Sequence, residues 1–535
     1  MLNQCKNCGG QIIYDIKSKM LKCPSCESEF EPETYNSMTK AEENNSKGKI
    51  SMTLYKCPAC GAEISSVDNA AVDYCLYCGS FVTLNKSMSK LRKPDYIIPF
   101  SRTKEEAREA YKEIVKDDLY APKEFRNDKF LENFKGIYIP YWTYTYEYGG
   151  NIKLEGEHNY ESENYDCTQK YDISFKADTG TKYIAFDGSS TFDDNISRQI
   201  VPFDFDRRKD FKPEFMFGFY GDTADVPEKT YNSDAIASLS NDIWDEIEYD
   251  QSLSAGYPVR PDFDSFEKTV NLKRKSTITM LPVWFLTWKK NKRVAYSVVN
   301  GDNGKIFGEI PVSFGRYILF SLLTAIPLFL LLNLFFTFTA STMLGITVAL
   351  SMLMLLIYSS ELEYITKREH HLDDKGYRAV YKNDDDDDYA PDYKENFFVK
   401  AFKFIVDLIK DVGIKECIIA AVILFIISLE FIFAIYIAVI ITMFIVFPIY
   451  TLVLLLINGR YTKDKTIIID SLGTFAAYVL SLVVFIINPA NDMYYYGASI
   501  IAIFAMGFSV MRCISRYNKI VTRPVPHFFD RKAGK

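Results

Sequence analysis

The fold of the amino-terminal region is decided by CKNCGGQIIYDIKSKMLKCPSC, residues 5–26, and by CPACGAEISSVDNAAVDYCLYC, residues 57–78. Both stretches have the spacing CxxC, fourteen residues, CxxC. A two-residue gap lets a tight turn bring two sulfurs onto one ion, and a short hairpin returns the second pair. Turn-forming residues stand at these knuckles: Gly9, Pro24, Pro58, Gly61 and Gly79. The repeated spacing predicts two zinc ribbons.

Each cysteine set is predicted to hold one structural Zn²⁺. The predicted ligands are Cys5, Cys8, Cys23, Cys26, Cys57, Cys60, Cys75 and Cys78. Disulfides are one alternative, but residues 1–30 contain no apolar signal-peptide core, so we expect a reducing compartment, which favours metal. Rubredoxin-like iron is the other alternative. Because four thiolates leave no open coordination position, we expect these sites not to catalyse.

The carboxyl-terminal part of the chain carries long apolar runs that the overall composition conceals. Mean hydropathy is −0.07 and the net charge is −7. By region, residues 1–90 carry no net charge, residues 91–315 carry −8 and residues 316–535 carry +1. The candidate spans are residues 317–338, 342–358, 471–487 and 494–511, together with 417–457, which are 41 residues long. A helix needs about 20 apolar residues to cross a bilayer, so residues 417–457 count as two spans and the total is six.

The distribution of basic residues predicts the orientation of these spans. The tail from Arg512 to Lys535 has seven Lys and Arg against one acid, and the 360–415 loop is also rich in Lys and Arg. The opposite loops, residues 339–341 and 488–493, contain no Lys or Arg. The positive-inside rule therefore predicts a multi-pass protein of the bacterial plasma membrane with both termini and the ribbons in the cytoplasm.

Two features mark the 360–415 loop. Asp384–Asp388 are five consecutive acids, which predict a solvated loop; calcium binding is the alternative. Residues 397–412 place apolar side chains at helical spacing with lysines on or beside the other face, which predicts an amphipathic helix in the bilayer interface. Packing of that helix on the soluble domain is the alternative.

Residues 91–315 are predicted to form one α+β domain whose sheet is mainly antiparallel. Thr103 and Glu106 form a capping box for an amphipathic helix, and residues 233–247 are a second helix. Predicted strands include residues 136–148, 171–175, 183–186 and 280–289, and a hairpin pairs 294–299 with 305–312. The aromatic residues of these strands predict a sheet core, with a binding groove as the alternative.

Few residues of this domain suggest chemistry. The paired carboxylates Asp193/Asp194 and Asp204/Asp206 could serve acid–base work, but their Asn, Gly, Pro and Arg neighbours favour solvated turns. The chain contains no GxSxG, HExxH or phosphate-binding GxxxxGK[ST] motif. The remaining cysteines are assigned ordinary apolar or surface roles: Cys167, Cys417 and Cys513. We therefore expect no catalytic residue and no enzyme.

Several phrases of the chain recur in a bacterial group. They are PDYIIPF at 94–100, AREAYK at 107–112, YAPKEF at 120–125, YIPYWTY at 138–144, LPVWFLTWK at 281–289 and NGDNGKIFGEIPVS at 300–313. With the ribbons, they make residues 1–340 resemble bacterial membrane proteins with TFIIB-type zinc ribbons, which are often automatically named after the primosomal helicase. The resemblance implies a component of membrane-stress systems that acts beside a phage-shock-protein-A-like protein and recruits a flotillin-like (SPFH) protein. It carries over the eight cysteines as ligands and no catalytic residue, and the spans after about residue 360 depart from the family.

The predicted organisation is multi-domain: two four-cysteine ribbons, an α+β cytoplasmic domain and an α-helical transmembrane bundle. The boundaries are ribbon 1 at 1–35, a linker at 36–52, ribbon 2 at 53–90, the α+β domain at 91–315, a transmembrane hairpin at 316–359, the loop at 360–415, four further spans within 416–512 and a basic tail at 513–535.

These features favour a membrane scaffold that contacts lipid and recruits protein partners, either flotillin-like or phage-shock-like, as a homo- or hetero-oligomer. A nucleic-acid-binding ribbon protein is one alternative; it is disfavoured because the ribbons carry no net positive charge. A transporter or channel subunit is the other alternative, for which the spans supply Glu430 and Asn333 and few further polar residues.

Overall fold

A computed structural model describes most of the chain. The described residues are 3–35, 48–66, 74–82, 84–162, 165–249, 258–260, 272–335, 339–381, 442–459 and 465–529. Several sequence predictions lie outside these ranges: the acidic run Asp384–Asp388, the amphipathic helix at 397–412, Cys417, Glu430 and residues 417–441 of the run that counts as two spans. The side chain of Asn333 is also not described.

Ribbon 1 is a small antiparallel sheet of three short strands. They are β1 (Ile13–Asp15), β2 (Met20–Lys22) and β3 (Glu29–Phe30), in the order β1-β2-β3. Its inner side chains are too few for an independent core, as expected for a module below about 40 residues. They pack instead on the neighbouring domain: the Tyr14 amide donates to the Phe217 carbonyl at 3.0 Å, and the Tyr14 and Phe215 rings meet edge to face at 5.8 Å.

The centre of the molecule is a twelve-stranded, mainly antiparallel sheet. Its strands are β4 (Lys49–Lys56), β5 (Glu63–Ser66), β6 (Asn85–Arg92), β7 (Tyr96–Ile97), β8 (Lys135–Ser162), β9 (Tyr165–Asp187), β10 (Lys209–Asp210), β11 (Tyr220–Gly221), β12 (Lys273–Lys290), β13 (Arg293–Asn300), β14 (Ile306–Gly308) and β15 (Arg523–Pro524). The main path runs β10-β7-β12-β8-β11-β5-β4-β6, while β9 pairs with β8, and β13 pairs with β12, β14 and β15.

The strands of ribbon 2 belong to this sheet. β4, β5 and β6 pair with one another, and β5 also pairs with β11, which runs parallel to β8. The short strand β11 therefore joins ribbon 2 to the α+β domain by continuous backbone hydrogen bonds. Ribbon 1 has no such connection, because its three strands form a separate sheet.

Two similar tetrapeptides, IPYW at 139–142 on β8 and LPVW at 281–284 on β12, lie on neighbouring strands at the middle of the sheet. In the antiparallel pair of β8 and β12, Ile139 is opposite Leu281 and Tyr138 is opposite Pro282. Four tyrosines of β8 are fully buried, on both faces of the strand: Tyr138, Tyr141, Tyr144 and Tyr146. These aromatics form the sheet core.

Helices flank the sheet. They are α1 (Lys104–Asp117), α2 (Asp128–Leu131), α3 (Asp194–Ile200) and α4 (Asn232–Tyr249). The predicted capping box is confirmed, since the Thr103 side chain accepts from the Glu106 amide and the Glu106 carboxylate accepts from the Thr103 amide at 2.7 Å. α4 corresponds to the predicted helix at 233–247, and its Leu239 and Ile243 pack in the same core cluster as Tyr144.

The carboxyl-terminal region is helical. Its helices are α5 (Phe314–Phe335), α6 (Ala340–Glu369), α7 (Lys375–Tyr381), α8 (Phe447–Asn458), α9 (Lys465–Ile487) and α10 (Asp492–Val521). Within the described ranges, α5, α6, α9 and α10 are long and apolar enough to cross a membrane, and α8 is a shorter apolar helix. α6, α8, α9 and α10 pack on one another, whereas the apolar window of α5 has none of its residues buried.

Candidate metal centres

The four cysteines of each set converge, as their spacing predicts. Within each set the four sulfur atoms lie within 4.8 Å of one another. In ribbon 1 the Sγ atoms of Cys5 and Cys26 are 3.6 Å apart, and in ribbon 2 those of Cys57 and Cys78 are 3.8 Å apart. A tetrahedral zinc ion with Zn–S bonds of about 2.3 Å needs S···S separations of about 3.8 Å. Both clusters therefore fit a tetrahedral metal ion held by four thiolates.

All four CxxC turns have the same backbone geometry. The amide of the first cysteine donates to the carbonyl five residues later, as in Cys5 to Gly10 at 2.7 Å and Cys57 to Ala62 at 2.9 Å. The fourth residue after that cysteine has positive φ: Gly9 at 75°, Glu27 at 58°, Gly61 at 81° and Gly79 at 65°. Glycine adopts this conformation without strain, which explains three of the four residues.

The thiolate is the form that binds metal, and some of the thiols are set up for deprotonation. The pKa is lowered for Cys26, Cys57 and Cys78, whereas hydrogen bonds with neighbouring thiols contribute to a raised pKa for Cys8, Cys60 and Cys75. Hydrogen bonds from the Ser28 side chain and amide lower the pKa of Cys26 to about 6. Hydrogen bonds from Cys60 and Cys75 lower the pKa of Cys57 to about 7. In ribbon 1, the amides of Asn7 and Gly10 also donate to cysteine sulfurs, each at 3.4 Å.

The two clusters differ sharply in exposure. All four cysteines of ribbon 2 are buried, whereas Cys8 and Cys26 of ribbon 1 are exposed. Side chains of β12 hold ribbon 2 in place: the Tyr74 hydroxyl donates to the Thr287 carbonyl at 2.9 Å, and Lys289 Nζ donates to Ser80 Oγ at 2.7 Å. Ribbon 2 is thus part of the domain interior, and ribbon 1 presents its metal site at the surface.

The buried side chain of Asp222 anchors ribbon 2 to the sheet domain. Its Oδ2 accepts from the Tyr77 hydroxyl at 2.5 Å, from Ser189 Oγ at 2.6 Å and from Thr191 Oγ1 at 2.8 Å. Tyr77 lies between two ligands of the second cluster, and its own carbonyl accepts from the Tyr296 hydroxyl. This buried network fixes the second CxxC turn against the sheet.

The segment after α10 closes over the first CxxC turn of ribbon 2. We call residues 522–529 the tail segment; it contains β15, which pairs with β13. The Phe528 amide donates to the Cys60 carbonyl at 2.6 Å, and the Phe528 ring packs against Tyr77, Tyr377 and Tyr381. The sequence predicts this stretch only as a basic tail, and its signal for burial is the pair Phe528 and Phe529.

The candidate acid pair Asp193/Asp194 is buried, so the preference for solvated turns was wrong there. Asp193 caps α3, and its carboxylate pairs with Arg523 at 2.5 Å and with Arg368 at 3.7 Å. Burial alone would raise the pKa of Asp193, but Arg523 and Arg368 outweigh it and lower that pKa. Asp194 accepts from the Tyr231 hydroxyl at 2.6 Å and from the Lys375 amide at 2.9 Å.

The second acid pair, Asp204/Asp206, is exposed, in agreement with a turn role. Asp204 caps a short helical turn by accepting from the Asp206 amide at 3.1 Å. The first pair belongs to a cluster of buried acids, because burial, together with the neighbouring carboxylates Asp194 and Asp374, raises the pKa of Asp187 well above its ordinary value. The acids near Asp193 join the end of α6 and the tail segment to the domain.

A further charged cluster lies among the apolar helices and escaped sequence reasoning. Arg516 of α10 is buried, with Nε 2.5 Å from Glu361 of α6 and NH1 2.8 Å from Asp470 of α9. Arg512 also pairs with Asp470, at 2.9 Å. Glu361 follows Ala340 by 21 residues, or about 32 Å of helix, which is the full thickness of a hydrocarbon core. The cluster therefore lies at one end of the helical bundle, where it ties three helices together.

Comparisons with known proteins give one distant relative. A Bacillus subtilis (strain 168) protein, "Uncharacterized protein YdjG", is 25% identical over 327 residues, which is 58% of this chain and 91% of the relative. This alignment is too long to rest on the two ribbons, which together occupy residues 1–90. No family model and no solved structure matches the chain.

Proposed function

We propose that the protein is a membrane-embedded scaffold that recruits a cytoplasmic protein partner and uses two structural zinc ions to hold its docking modules. It would act in membrane stress or membrane organisation, as its resemblance to the ribbon-bearing membrane proteins implies. The observation that carries the proposal is that two closed four-thiolate clusters and four long apolar helices belong to one connected structure.

The clusters support binding in preference to catalysis. Four cysteine ligands complete the tetrahedral shell of zinc, so neither site keeps a position for water or substrate. Three buried carboxylates of the domain are occupied structurally, since Asp193 and Glu309 each pair with Arg523 and Asp222 accepts three hydroxyl donors.

The long helices support a membrane anchor. The exposed face of α5 is apolar throughout its length; its residues include Leu322, Leu323, Ile326, Phe329 and Leu330, all more than half exposed. A surface of this kind needs lipid or another helix to cover it. α6 and α10 have 30 residues each, about 45 Å, so about ten residues of each would extend past a 30 Å core toward the domain.

Ribbon 1 is the proposed docking module. Its knuckles are exposed at Cys8 and Cys26, and it joins the domain through side chains and single hydrogen bonds instead of through the sheet. Ribbon 2 is buried beneath the tail segment and β12, so it offers little surface to a partner. This difference in burial supports a docking role for ribbon 1 and a structural role for ribbon 2.

The test is to unfold ribbon 1 alone in the full-length protein. The double variant Cys8→Ser/Cys26→Ser removes two of four ligands, and Cys167→Ser, a partly exposed thiol on β9, is the matched control. We expect the double variant to stay in the membrane fraction, to fall from two zinc ions per chain to one, and to lose a cytoplasmic partner by about tenfold or more in quantitative affinity capture from solubilised membranes.

The control should keep both zinc ions and the partner. Recovery of the same partners at the same abundance with the double variant would show that ribbon 1 is not the docking module. A purified protein without zinc would remove the basis of the proposal altogether.

A further inference from the structure

A cavity of about 1010 Å³ lies where the helical region meets the sheet domain. We call it the junction cavity. It is bounded by the turn between β12 and β13, by residues 122–124, by the first turn of α5 and by the last three turns of α10. Its volume is at the upper end of the range of small-ligand pockets, about 300–1,000 Å³.

One wall of the junction cavity is basic. Its cationic residues are Lys123, Lys290, Lys292, Arg293 and Lys519, and Glu124 is the one acid among the lining residues. Glu124 accepts from the indole nitrogen of Trp288 at 3.1 Å. Within the described part of the chain, no carboxylate lies within ion-pairing distance of Lys123, Lys290 or Lys292. Arg293, by contrast, pairs with Glu369 at 3.9 Å. The three lysines therefore place positive charge at the cavity that no described carboxylate neutralises by an ion pair.

The Arg293 guanidinium is held in a fixed orientation at this wall. Its NH2 donates to the carbonyls of Lys519 and Thr522, each at 2.6 Å, and its Nε donates to Thr522 Oγ1 at 2.7 Å. These contacts fasten the β12–β13 turn to the end of α10. The lysines beside it, Lys290 and Lys292, are exposed on the same turn.

The opposite wall is apolar and continues into the exposed surface of the helices. Its residues include Trp288, Phe314, Met511 and Ile514. Phe314 is 49% exposed at the start of α5 and Met511 is 47% exposed near the end of α10. Two reciprocal hydrogen bonds join Val312, just before α5, to Asn518 of α10. The Val312 amide donates to Asn518 Oδ1 at 2.7 Å, and Asn518 Nδ2 donates to the Val312 carbonyl at 2.9 Å.

We propose that the junction cavity binds an anionic phospholipid, with the phosphate of the headgroup at Lys290 and Lys292 and the acyl chains along the exposed faces of α5 and α10. The inference rests on the proposed membrane insertion. An ammonium group and a phosphate attract each other most strongly where a low-dielectric surface excludes water, as the apolar wall does.

A lipid fits both walls, whereas a soluble phosphate fits only one. An inorganic phosphate or a free headgroup would use the lysines and leave the apolar wall in contact with water. The lipid instead covers Phe314 and Met511 with its chains while the lysines neutralise its phosphate. The occupied cavity would tie the β12–β13 turn, and with it the sheet that carries ribbon 2, to the charge of the bilayer surface.

The test measures quenching of tryptophan fluorescence in full-length protein reconstituted in phosphatidylcholine vesicles. Brominated phosphatidylglycerol is titrated in, with brominated phosphatidylcholine as the neutral comparison. Trp288 is one of four tryptophans and lines the cavity, so a Trp288→Phe variant identifies the cavity's share of the signal. The test variant is Lys290→Gln/Lys292→Gln, and Lys153→Gln/Lys176→Gln on the β8–β9 hairpin is the control of equal charge change.

We expect brominated phosphatidylglycerol to quench Trp288 at a mole fraction about tenfold lower than brominated phosphatidylcholine does. Loss of Lys290 and Lys292 should raise that fraction about tenfold, and the control should match the wild type. Equal quenching by the two lipids, or no change in the test variant, would overturn the inference. Relief of quenching by millimolar inorganic phosphate or glycerol 3-phosphate would assign the cavity to a soluble anion and overturn the lipid.

Failure of the proposed function is measured separately. If the protein does not float with the vesicles and is extracted by alkaline carbonate, the membrane proposal itself fails. If it floats and resists extraction but shows no preference for the anionic lipid, only the junction-cavity inference fails.

Discussion

At the scale of single residues, Asp222 shows how strongly the tertiary structure changes a side chain. The sequence places it in an ordinary Gly-Asp-Thr run after β11. In the structure it is buried at the base of ribbon 2, with its Oδ2 facing three hydroxyl donors and its Oδ1 accepting from the Thr223 amide at 2.7 Å. Burial raises the pKa of Asp222 to about 6, although the hydroxyls of Ser189 and Tyr77 oppose the shift.

This raised pKa predicts a pH-dependent stability. The folded protein keeps the Asp222 proton up to about pH 6, whereas the unfolded chain loses it near 3.8. The contribution of this carboxyl to stability is therefore complete below pH 3.8 and is lost as the pH rises through about 6. Between pH 5 and pH 7 the loss amounts to roughly 1 kcal/mol.

Asp222→Asn removes the titrating group and should remove this part of the pH dependence. Thermal unfolding of the zinc-loaded protein at several pH values between 5 and 7 measures it. Across that window, the stability of the wild type relative to the variant should fall by roughly 1 kcal/mol as the pH rises. Asp206→Asn, at an exposed position, is the control and should shift no such difference. A constant difference for Asp222→Asn would contradict the assignment.

At the scale of elements, the tail segment connects the last apolar helix to ribbon 2. β15 pairs with β13, and Phe528 lies against the first CxxC turn of ribbon 2. The contact leaves no room at Gly61: a Cβ there would stand 2.9 Å from the Phe528 carbonyl carbon, whereas a Cβ on Gly9 of ribbon 1 would meet nothing within 4 Å. Two turns of the same geometry therefore have different surroundings.

Truncating the buried ring should release the tail segment. Phe528→Ala removes a side chain that is 4% exposed, and losses of about 3–5 kcal/mol are usual for such a change. Phe529→Ala, at a position 41% exposed, is the neighbouring control. We expect Phe528→Ala to speed hydrogen–deuterium exchange of the amides at residues 525 and 528, which are bonded to Lys292 and Cys60 in the wild type, and to speed chelator removal of one of the two zinc ions, with the Phe529 variant near the wild type.

A glycine pair tests the same contact from the other side. Gly61→Ala and Gly9→Ala both place a side chain at positive φ, which costs about 1–2 kcal/mol, but only the former also meets the Phe528 backbone. Gly61→Ala should therefore speed hydrogen–deuterium exchange of the Val525 and Phe528 amides, and Gly9→Ala should not. Equal exchange in the two variants would show that the tail segment is not held by ribbon 2.

At the scale of the whole molecule, the directions of the long helices are consistent with a single orientation of the protein in the membrane. α5 leaves the sheet domain at Phe314, while α6 and α10 return toward it and end near Arg368 and Arg523, which both pair with Asp193. Thr339 and residues 488–491 accordingly lie at the helix ends away from the domain. These are two of the places where the sequence lacks Lys and Arg.

The placement predicts which sites a membrane-impermeant maleimide reaches in intact cells. Thr339→Cys and Asn491→Cys should be labelled from outside, and Lys123→Cys on the domain side should be labelled only after the cells are opened. The cysteines of the ribbons should likewise be protected in intact cells. Labelling of Lys123→Cys from outside would reverse the proposed orientation.

Local patterns were enough to predict much of the architecture. The CxxC spacing predicted which cysteines converge, because two short turns and a hairpin leave little freedom. The capping box at Thr103, the aromatic strand at 136–148 and the apolar runs of the long helices are also signals carried by a few neighbouring residues. Each of these signals depends on backbone periodicity or on a turn, so each can be read without knowing the rest of the fold.

Contacts between distant residues needed the tertiary structure. The sequence by itself determined two four-cysteine clusters, a mainly antiparallel sheet domain and a set of apolar helices. Only the fold decided that ribbon 2 is buried while ribbon 1 is exposed, that Asp193 and Asp222 are interior, and that Phe528 closes over Cys60. The physical reason is that burial and ion pairing depend on which surfaces meet, and residues hundreds of positions apart supply those surfaces here.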